Sequence, residues 1–322
     1  MQQTALSTMK ALVVDAYGPP ENARVGQVEV PKIRDGFLLV RMRAAGVNPF
    51  DYKLITGAVK DWVPLKFPYV PGMDGSGEVA EIGNGVQGWN KGDGVVAMFP
   101  HGTFAEYALI SADEKRLARK PDRLDFKHAA AIPEAGLTAR TIVRTAGVGP
   151  GQTVLIIGAS GGVGLFATQL AKAAGAHVVA TGTANDVEYL GKIGADEVVD
   201  YNAGDTISQV MHKHVHGVDA VIDVVHSGEE LLKSAQALRE DGTLVSTLYG
   251  PEQSAFPNKV NVHYIQLAAE EGDLDDLARR AADGTLRVEV GHAYDLSLAP
   301  QALADLMSPT KHTRGKFVVT LT

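Results

Sequence analysis

Residues 153–176 read TVLIIGASGGVGLFATQLAKAAGA, and the fold class of the chain can be predicted from this segment. Its first residues form an apolar run with the length of a buried strand, and a glycine-rich turn follows that run. From about 162 to 174, apolar residues recur at helical spacing, and Gly175 is a typical helix stop signal. The stretch therefore predicts a strand, a tight turn and a helix in direct succession.

The same alternation continues along the chain. Further strands are predicted at 177–182, 197–201, 218–225 and 243–250, and further helices at 187–193, 205–213 and 229–240. Strands that alternate with helices over short connections are typical of a parallel, doubly wound sheet. The residues before this part are β-rich instead, with a period of two at 37–43 and eight glycines at 72–94 that predict tight turns.

The composition excludes several classes of protein. The chain has 322 residues and a formal net charge of −8, so it lacks the basic surface that nucleic-acid binding requires. It has no cysteine, which excludes disulfides and thiolate metal sites and fits a reducing compartment. No window approaches 18 uninterrupted apolar residues, and residues 1–8 lack the pattern of a secretory signal. We therefore expect a cytoplasmic protein with no nucleic-acid or membrane partner and a disordered extension at 1–8.

The glycine-rich turn has the chemistry of a dinucleotide site. A pyrophosphate needs backbone N–H groups that no side chain obstructs, next to the positive N-terminus of a helix. Gly161, Gly162 and Gly164 meet this need directly after a strand and at the start of a helix. A tight turn without a ligand is the alternative, but the strand–helix alternation that follows favours the dinucleotide.

The end of the second strand bears on which dinucleotide binds. An NAD-binding sheet usually carries an acidic residue there, about 20 residues after the turn, for the ribose hydroxyls. This chain has TGTA at 181–184, and its first acid is Asp186. The missing carboxylate favours NADPH over NADH, although no Arg or Lys stands at 181–187 to bind a 2′-phosphate. We include Thr181 and Asn185 of this segment among the cofactor-binding residues.

A set of further motifs runs through the chain. They are AAGVNPFDYKLITG (44–57), PGMDGSGEVAEIGNGV (71–86), GDGVVA (92–97), GTFAEYALI (102–110), GLTA (136–139), GASGGVGLFATQLAKAAGA (158–176), GADEVVDY (194–201) and RGKFVV (314–319). In this order they resemble the medium-chain dehydrogenase/reductase superfamily, in its zinc-free quinone oxidoreductase (zeta-crystallin-like) branch. The resemblance covers the chain from residue 9 almost to the C-terminus.

The resemblance implies an α/β fold, with a GroES-like β-domain and a Rossmann domain that has a doubly wound parallel sheet. The GroES-like catalytic domain would comprise 9–130 and 266–322, and the Rossmann dinucleotide-binding domain 131–265. A homodimer would form through the edge strands of the Rossmann sheets, around 243–265. The implied activity is transfer of a hydride from NADPH to a quinone or an α,β-unsaturated carbonyl compound.

The chain departs from the zinc-dependent members of the superfamily. By resemblance, those members have Cys at the position of Asn48, His-Glu at the position of Met73-Asp74, and a further Cys ligand. A tetrahedral catalytic zinc needs three such protein ligands, and they are missing here. We therefore expect no zinc, and an acceptor that itself holds negative charge as the hydride arrives.

The segment 48–53 offers polar groups for such a reaction. By resemblance, Asn48, Asp51 and Lys53 line the nicotinamide and substrate pocket. Lys53 would stabilise a developing enolate, and Tyr52 is a second proton donor. The alternatives are that Lys53 lies on the surface, that Asp51 caps a helix and that Asn48 is a plain turn residue.

The resemblance also carries cofactor contacts over to this chain. They are Thr138 at the nicotinamide end, Ser160, Gly161, Gly162 and Val163 at the pyrophosphate, and Thr183 and Tyr201 at the adenosine end. The remaining contacts are Val225 after the fourth strand, Leu248, Tyr249 and Gly250 after the fifth, and Lys316 in the last. Lys316 is alternatively a surface residue.

Two other functions and one other site stay open. A non-enzymatic NADPH-binding protein, crystallin-like or RNA-binding, is the alternative from a different class, and the acidic charge opposes RNA. A pathway-specific tailoring reductase for enoyl or ketone substrates is the alternative among enzymes. His212 and His216 can meet on one helix face and bind a metal, but their pattern is more typical of a solvated helix end.

Overall fold

The computed structural model describes residues 7–257, 259–308 and 314–321. The first strand begins at Thr8, which pairs with Glu29, so ordered structure starts within the predicted extension at 1–8. Apart from Ser7 and Thr8, that extension lies outside the described residues. No helix of the described ranges is long and apolar enough to cross a membrane.

The described residues contain fifteen strands, nine α-helices and five short 3₁₀ helices. The strands are β1 (Thr8–Val13), β2 (Arg24–Glu29), β3 (Phe37–Val47), β4 (Asp74–Ile82), β5 (Gly94–Met98), β6 (Tyr107–Ser111), β7 (Leu117–Arg119), β8 (Thr153–Ile157), β9 (His177–Gly182), β10 (Glu197–Asp200), β11 (Val218–Asp223), β12 (Leu238–Ser246), β13 (Asn261–Tyr264), β14 (Val290–Asp295) and β15 (Lys316–Thr320). The helices are α1 (Pro49–Thr56), α2 (Phe126–Ala130), α3 (Pro133–Ala146), α4 (Gly162–Ala173), α5 (Val187–Lys192), α6 (Thr206–Lys213), α7 (Glu230–Ser234), α8 (Asp273–Ala282) and α9 (Ala299–Leu306).

The chain divides into two compact units. The first unit ends at Glu134 and resumes at Glu270, and the second unit spans Ala135–Ala269. Both borders lie four residues after the predicted ones, at 134 against 130 and at 269 against 265. Glu134 belongs with the first unit because its backbone N–H donates a hydrogen bond to Asp74 Oδ1 over 2.9 Å.

The first unit is built on a seven-stranded sheet. The strand order is β14-β15-β3-β4-β5-β7, with β6 also paired to β3, and β1 and β2 form a separate pair. Strand β3 is the centre, because it pairs with β15, β4 and β6. Leu38, Val40 and Met42 of β3 face one hydrophobic core. An irregularity in the pairing after Met42 shifts the alternation by one residue, so that Ala45 and Val47 face the same core.

The second unit has a six-stranded sheet in which every pairing is parallel. The order β10-β9-β8-β11-β12-β13 confirms the predicted doubly wound sheet. Strands β8 and β11 are neighbours although β9 and β10 lie between them in the chain. The connections therefore leave this pair in opposite directions, and the point between β8 and β11 is the switch point of the sheet. Ligands of such sheets bind at the switch point, beyond the carboxyl ends of the strands.

The helix predicted at 229–240 is wrong in its second half. Helix α7 ends at Ser234, and β12 begins at Leu238, which is buried and pairs with Val218. Burial against the sheet overrides the local helix preference here. The pattern also missed β13 and β14, two edge strands whose residues are exposed or half-buried and show little apolar alternation.

Candidate active site

The glycine-rich turn lies between β8 and α4, at the switch point of the second unit's sheet. Gly158 has a φ of 88°, in the left-handed region that favours glycine. A Cβ on Gly164 would stand 2.0 Å from the carbonyl oxygen of Gly158, so only glycine lets α4 start this close to the strand. The backbone itself therefore requires two of the turn's glycines.

The start of α4 suits a pyrophosphate. Its N-cap residue is Gly161, so no side chain caps the N–H groups of the first turn. Gly162 and Val163 are the first helical residues, and Ser160 is buried just before them. The turn thus leaves uncapped N–H groups at a positive helix terminus, and these residues fit the dinucleotide that the motif predicts.

The end of β9 adjoins this turn through a hydrogen bond. The backbone N–H of Gly158 donates to Thr181 Oγ1 over 3.0 Å, so the hydroxyl of Thr181 holds the turn. Thr183 donates through its N–H and its hydroxyl to Asp186 Oδ2, over 2.9 and 2.8 Å. Asp186 is buried, and its carboxylate caps the 3₁₀ turn that contains Asn185. Tyr201, which follows β10, is exposed.

A buried carboxylate that the sequence analysis missed ends β11. Asp223 Oδ1 accepts from the backbone N–H groups of Val225 and His226, over 3.0 and 2.9 Å. Asp223 Oδ2 lies 2.9 Å from His226 Nδ1 and accepts from Ser234 Oγ over 2.6 Å. Burial alone would raise the pKa of Asp223, but the hydrogen bonds from His226 and Ser234 outweigh it and lower the pKa. The carboxylate therefore fixes the loop that presents Val225, which is exposed.

The last predicted cofactor residues follow β12 or lie on α3. The backbone N–H of Leu248 donates to Ser246 Oγ over 3.0 Å, and the side chain of Tyr249 is exposed. A Cβ on Gly250 would stand 2.7 Å from the hydroxyl of Tyr264, so the loop passes close to that ring. Thr138 lies on α3 and is buried. The structure thus brings the glycine turn and the residues after β9, β11 and β12 to the carboxyl edge of one sheet.

A buried polar cluster lies in the first unit, around the start of α1. The ammonium of Lys316 donates to the carbonyl oxygen of Val47 over 3.0 Å and to Asn48 Oδ1, and it lies 3.8 Å from Asp74 Oδ2. Asn48 Nδ2 donates to the same Asp74 oxygen over 3.0 Å. Lys316 is buried and bound within this cluster, 6% of its side chain being exposed, so the surface alternative is wrong. Its contact with the cofactor stays a prediction.

Two further acids complete this cluster. Asp51 Oδ2 accepts from the backbone N–H of Asn48 over 3.0 Å, so Asp51 caps α1 as the alternative interpretation predicted. Asp51 Oδ1 and Glu134 Oε2 are buried and have no hydrogen-bond partner among the described residues. Burial raises the pKa of Asp51 to about 7, and burial with the charge of Asp74 nearby raises the pKa of Glu134 to about 8.

The charge balance of the cluster follows from these contacts. Burial raises the pKa of Asp74 too, while the Lys316 ammonium and the hydrogen bond from Asn48 oppose that rise. Of the three acids, Asp74 has the most groups that stabilise its anion, so we assign the ion pair with Lys316 to it. Asp51 and Glu134 hold protons up to near-neutral pH. Glu134 was not among the predicted site residues. Its signal in the sequence is a single acid within the otherwise apolar stretch AAAIPEAGL (129–137).

Tyr52 and Lys53 lie on α1 and are half-buried. Tyr52 packs against the core of the first unit. The positive charge of Lys53 lowers the pKa of Glu134, against the larger effect of burial, so the ammonium lies close enough to act on the cluster. The four residues predicted as catalytic therefore lie together at the start of one helix, with Asp74, Glu134 and Lys316 joined to them.

Comparison with known proteins identifies both units. Residues 34–122 match the family model described as alcohol dehydrogenase GroES-like domain, and residues 162–268 match the model described as zinc-binding dehydrogenase. A chloroplast envelope quinone oxidoreductase homolog of Arabidopsis thaliana is 32% identical, over 97% of this chain and 98% of its own. These matches confirm the predicted fold class of a GroES-like domain and a Rossmann-type sheet.

Solved structures give the same result. The quinone oxidoreductase from Coxiella burnetii has a TM-score of 0.86 and 32% identity, and it covers 98% of this chain and 100% of its own. An NAD-dependent alcohol dehydrogenase has a TM-score of 0.86 and 30% identity, with the same coverage. A mycobacterial protein solved with NADPH has a TM-score of 0.85 and 29% identity, over 97% of this chain and 100% of its own.

The zinc that one family description names does not fit the residues of the first unit's cluster. Asn48, Met73 and Asp74 supply an amide, a thioether and one carboxylate, and the chain has no cysteine. The Lys316 ammonium lies against both Asn48 and Asp74 and would repel a second cation. Imidazole and thiolate ligands, which tetrahedral zinc prefers, are lacking in this cluster.

Proposed function

Because the chain belongs to the medium-chain dehydrogenase/reductase superfamily, in its quinone oxidoreductase branch, we propose that it is a zinc-independent, NADPH-dependent reductase. Its acceptors are quinones or α,β-unsaturated carbonyl compounds. The observation that carries the proposal is the buried ammonium of Lys316, bound to Asn48 and close to Asp74. A cation of the chain itself stands among the residues that correspond to zinc ligands, so the acceptor must accommodate charge without a metal.

NADPH is the proposed cofactor. It supplies the hydride when bound, and the uncapped N–H groups at the start of α4 bind its pyrophosphate. The preference for NADPH is supported by Asp186, since this carboxylate is buried and accepts both hydrogen bonds of Thr183. The mycobacterial relative that binds NADPH supports the same choice.

The first unit's cluster supplies the polar chemistry of the reduction. A quinone or enone gains a hydride at carbon and a proton, and negative charge develops on its oxygen before the proton arrives. Lys53 is the proposed donor to that oxygen, with Tyr52 beside it on α1. Asp51 and Glu134 hold protons near neutral pH because they are buried, and we propose them as the proton reserve behind Lys53.

The first test is the loss of NADPH absorbance with a 1,4-quinone, an alkenal and a cyclic enone, and with NADH in parallel. We expect turnover of at least one acceptor, with NADPH preferred and with no effect of a zinc chelator. If NADPH binds but no acceptor is reduced, the reductase proposal fails in favour of a binding protein. Faster turnover with NADH would reverse the cofactor choice.

A substitution tests the role of Lys53. Lys53→Met should lower kcat/KM for the acceptor about 100-fold, the scale for removing one oxyanion donor, while the NADPH affinity changes less than about twofold. Lys60→Met is the matched control, because Lys60 is exposed shortly after the same helix. Unchanged turnover of Lys53→Met would remove Lys53 from the mechanism.

We also propose that the protein is a cytoplasmic homodimer. Strand β13 is the edge of the second unit's sheet, and among the described residues it pairs only with β12, so its outer edge can pair with a second copy. Light scattering should give twice the chain mass of 34.0 kDa, and Tyr264→Pro should shift the protein to monomer. The N–H groups of β13 alternate in direction, and that of residue 264 points away from β12, as that of Val262 does. The lack of cysteine supports a reducing compartment, which cell fractionation tests.

A further inference from the structure

Three potential metal ligands converge in the second unit, away from the glycine turn. His177 is the first residue of β9, Glu197 is the first residue of β10, and His214 directly follows α6. Strands β9 and β10 are parallel, so His177 and Glu197 lie at the amino edge of the sheet. The glycine turn follows the carboxyl edge, and a six-residue strand such as β9 separates the two edges by about 17 Å.

The distances within this histidine–glutamate cluster are short. Glu197 Oε1 lies 2.9 Å from His177 Nε2 and 3.1 Å from His214 Nε2. One ligand atom from each of the three residues lies within 4.8 Å of the other two. Among residues 7–257, 259–308 and 314–321, this is the one group of at least three His, Asp or Glu side chains with such spacing.

The surroundings of the cluster suit a metal. Lys213 Nζ lies 3.0 Å from Glu197 Oε2, but its side chain is 58% exposed, so water screens its repulsion of a cation, unlike that of the buried Lys316. Oε1 remains directed at the two imidazoles. Asp196 Oδ2 lies 3.7 Å from His177 Nδ1, on the side of the ring away from Glu197, where a carboxylate can orient a ligating imidazole. The backbone N–H of His214 donates to the carbonyl of Val210 over 2.9 Å, so α6 fixes its position.

The ligand chemistry favours zinc. Zinc bonds to imidazole nitrogen and carboxylate oxygen are about 2.0–2.2 Å long, so tetrahedral ligand atoms stand about 3.4 Å apart. The two His–Glu distances need to open by only a few tenths of an ångström, and the exposed ring of His177 can turn toward His214. Each imidazole is a ligand in its neutral form, with the proton on Nδ1 and the lone pair on Nε2.

We propose that His177, Glu197 and His214 form a binding site for one Zn²⁺ per chain, with water as the fourth ligand. The site is separate from the first unit's cluster and does not depend on the proposed reductase activity. By joining β9, β10 and the end of α6, bound zinc stabilises the second unit.

The experiment is titration of the full-length, metal-free protein with ZnCl₂ by calorimetry, together with thermal unfolding with and without the metal. We expect one site per chain in the wild type and a higher melting temperature with zinc. His177→Ala should weaken binding at least about 10-fold and abolish the thermal shift. His212→Ala is the matched control, because His212 is exposed on the same helix α6 and is not in the cluster; its affinity should stay within about twofold of wild type.

A second variant and a spectroscopic measurement test the proposal even if His177→Ala does not fold. Glu197→Gln retains the shape of the side chain and should also weaken zinc binding, whether or not His177→Ala alters the fold. Added Co²⁺ should broaden the imidazole NMR signals of His177 and His214 before that of His212. Absence of a saturable site, or equal zinc affinity of His177→Ala and wild type, would overturn the proposal and leave an ion-pair network only.

Discussion

Replacing Asp51 with Asn should make the protein more stable at neutral and alkaline pH. Asp51 is fully buried, and burial raises its pKa from 3.8 to about 7 in the folded protein. Asn has nearly the same shape and cannot ionise, and its Oδ1 can still accept the hydrogen bond from the N–H of Asn48. The substitution therefore removes the cost of a buried carboxylate and retains the helix cap.

The magnitude follows from linkage. A carboxyl group whose pKa is higher in the folded state binds its proton more tightly there, so stability falls as pH rises through the interval between the two pKa values. For Asp51 this interval runs from 3.8 to about 7, and it corresponds to roughly 4 kcal/mol at 1.36 kcal/mol per pH unit. The advantage of Asp51→Asn should be near zero at pH 4, grow up to about pH 7 and then remain constant.

The assay is urea unfolding followed by circular dichroism at pH 5, 6, 7 and 8. If the two units unfold in separate transitions, only the transition of the unit that contains Asp51 should shift. Asp61→Asn is the control, because Asp61 is exposed in the same unit, and it should show no such pH-dependent gain. A loss of stability at pH 8 in Asp51→Asn would refute the reasoning, since it would mean that the fold stabilises the ionised form of Asp51.

Three other predictions concern the same cluster and the glycine turn. Glu134→Gln should also gain stability relative to wild type as pH rises from 4.5 to about 8, and urea unfolding at those pH values checks it. Lys316→Met should lower the free energy of unfolding by about 3–5 kcal/mol, because it leaves Asp74 without its buried counter-charge. The double variant Lys316→Met with Asp74→Asn should recover most of that loss. Equal stability of the single and double variants would contradict the pairing. Gly164→Ala should lower the melting temperature and weaken NADPH binding at least about 10-fold in calorimetry, because its Cβ would lie 2.0 Å from Gly158 O. Gly161→Ala is the control and should keep its melting temperature, because its Cβ would lie 3.4 Å from the same atom. Normal NADPH affinity in Gly164→Ala would show that the close approach is not required.

Local patterns predicted the architecture where the residues of one element are enough to specify its conformation. The run at 153–158 and the glycines that follow predicted the strand, turn and helix that the structure contains, because the backbone of this turn admits only glycine at Gly158 and Gly164. Local patterns predicted the wrong element where burial in the folded protein determines the secondary structure. Leu238 and its neighbours continued a helical pattern, but pairing with β11 turned them into a strand.

The site was predictable in part for the same reason. Asn48 to Lys53 are close in the chain, so one motif contains all four candidate residues, and the structure places them at the start of α1. Lys316 is 268 residues from Asn48, and no periodicity indicates that its ammonium is bound there. The histidine pair suggested by helical spacing, His212 and His216, is not the pair that the structure brings together. His214 meets His177 and Glu197 instead, since the fold joins the end of α6 to two strand starts.

The parallel sheet, the glycine turn and the residue types available for chemistry can be read from local residue order, because strand and helix periods and backbone conformation are properties of neighbouring residues. Which charged groups share a low-dielectric environment depends on the folded structure. Asp51 and Glu134 are ordinary carboxyl groups in the chain, and they retain protons near neutral pH only because the fold buries Asp51 and Oε2 of Glu134 near Asp74 and its partner Lys316. Electrostatic energy depends on distance through space and on burial, and neither is encoded in the order of residues along a local segment.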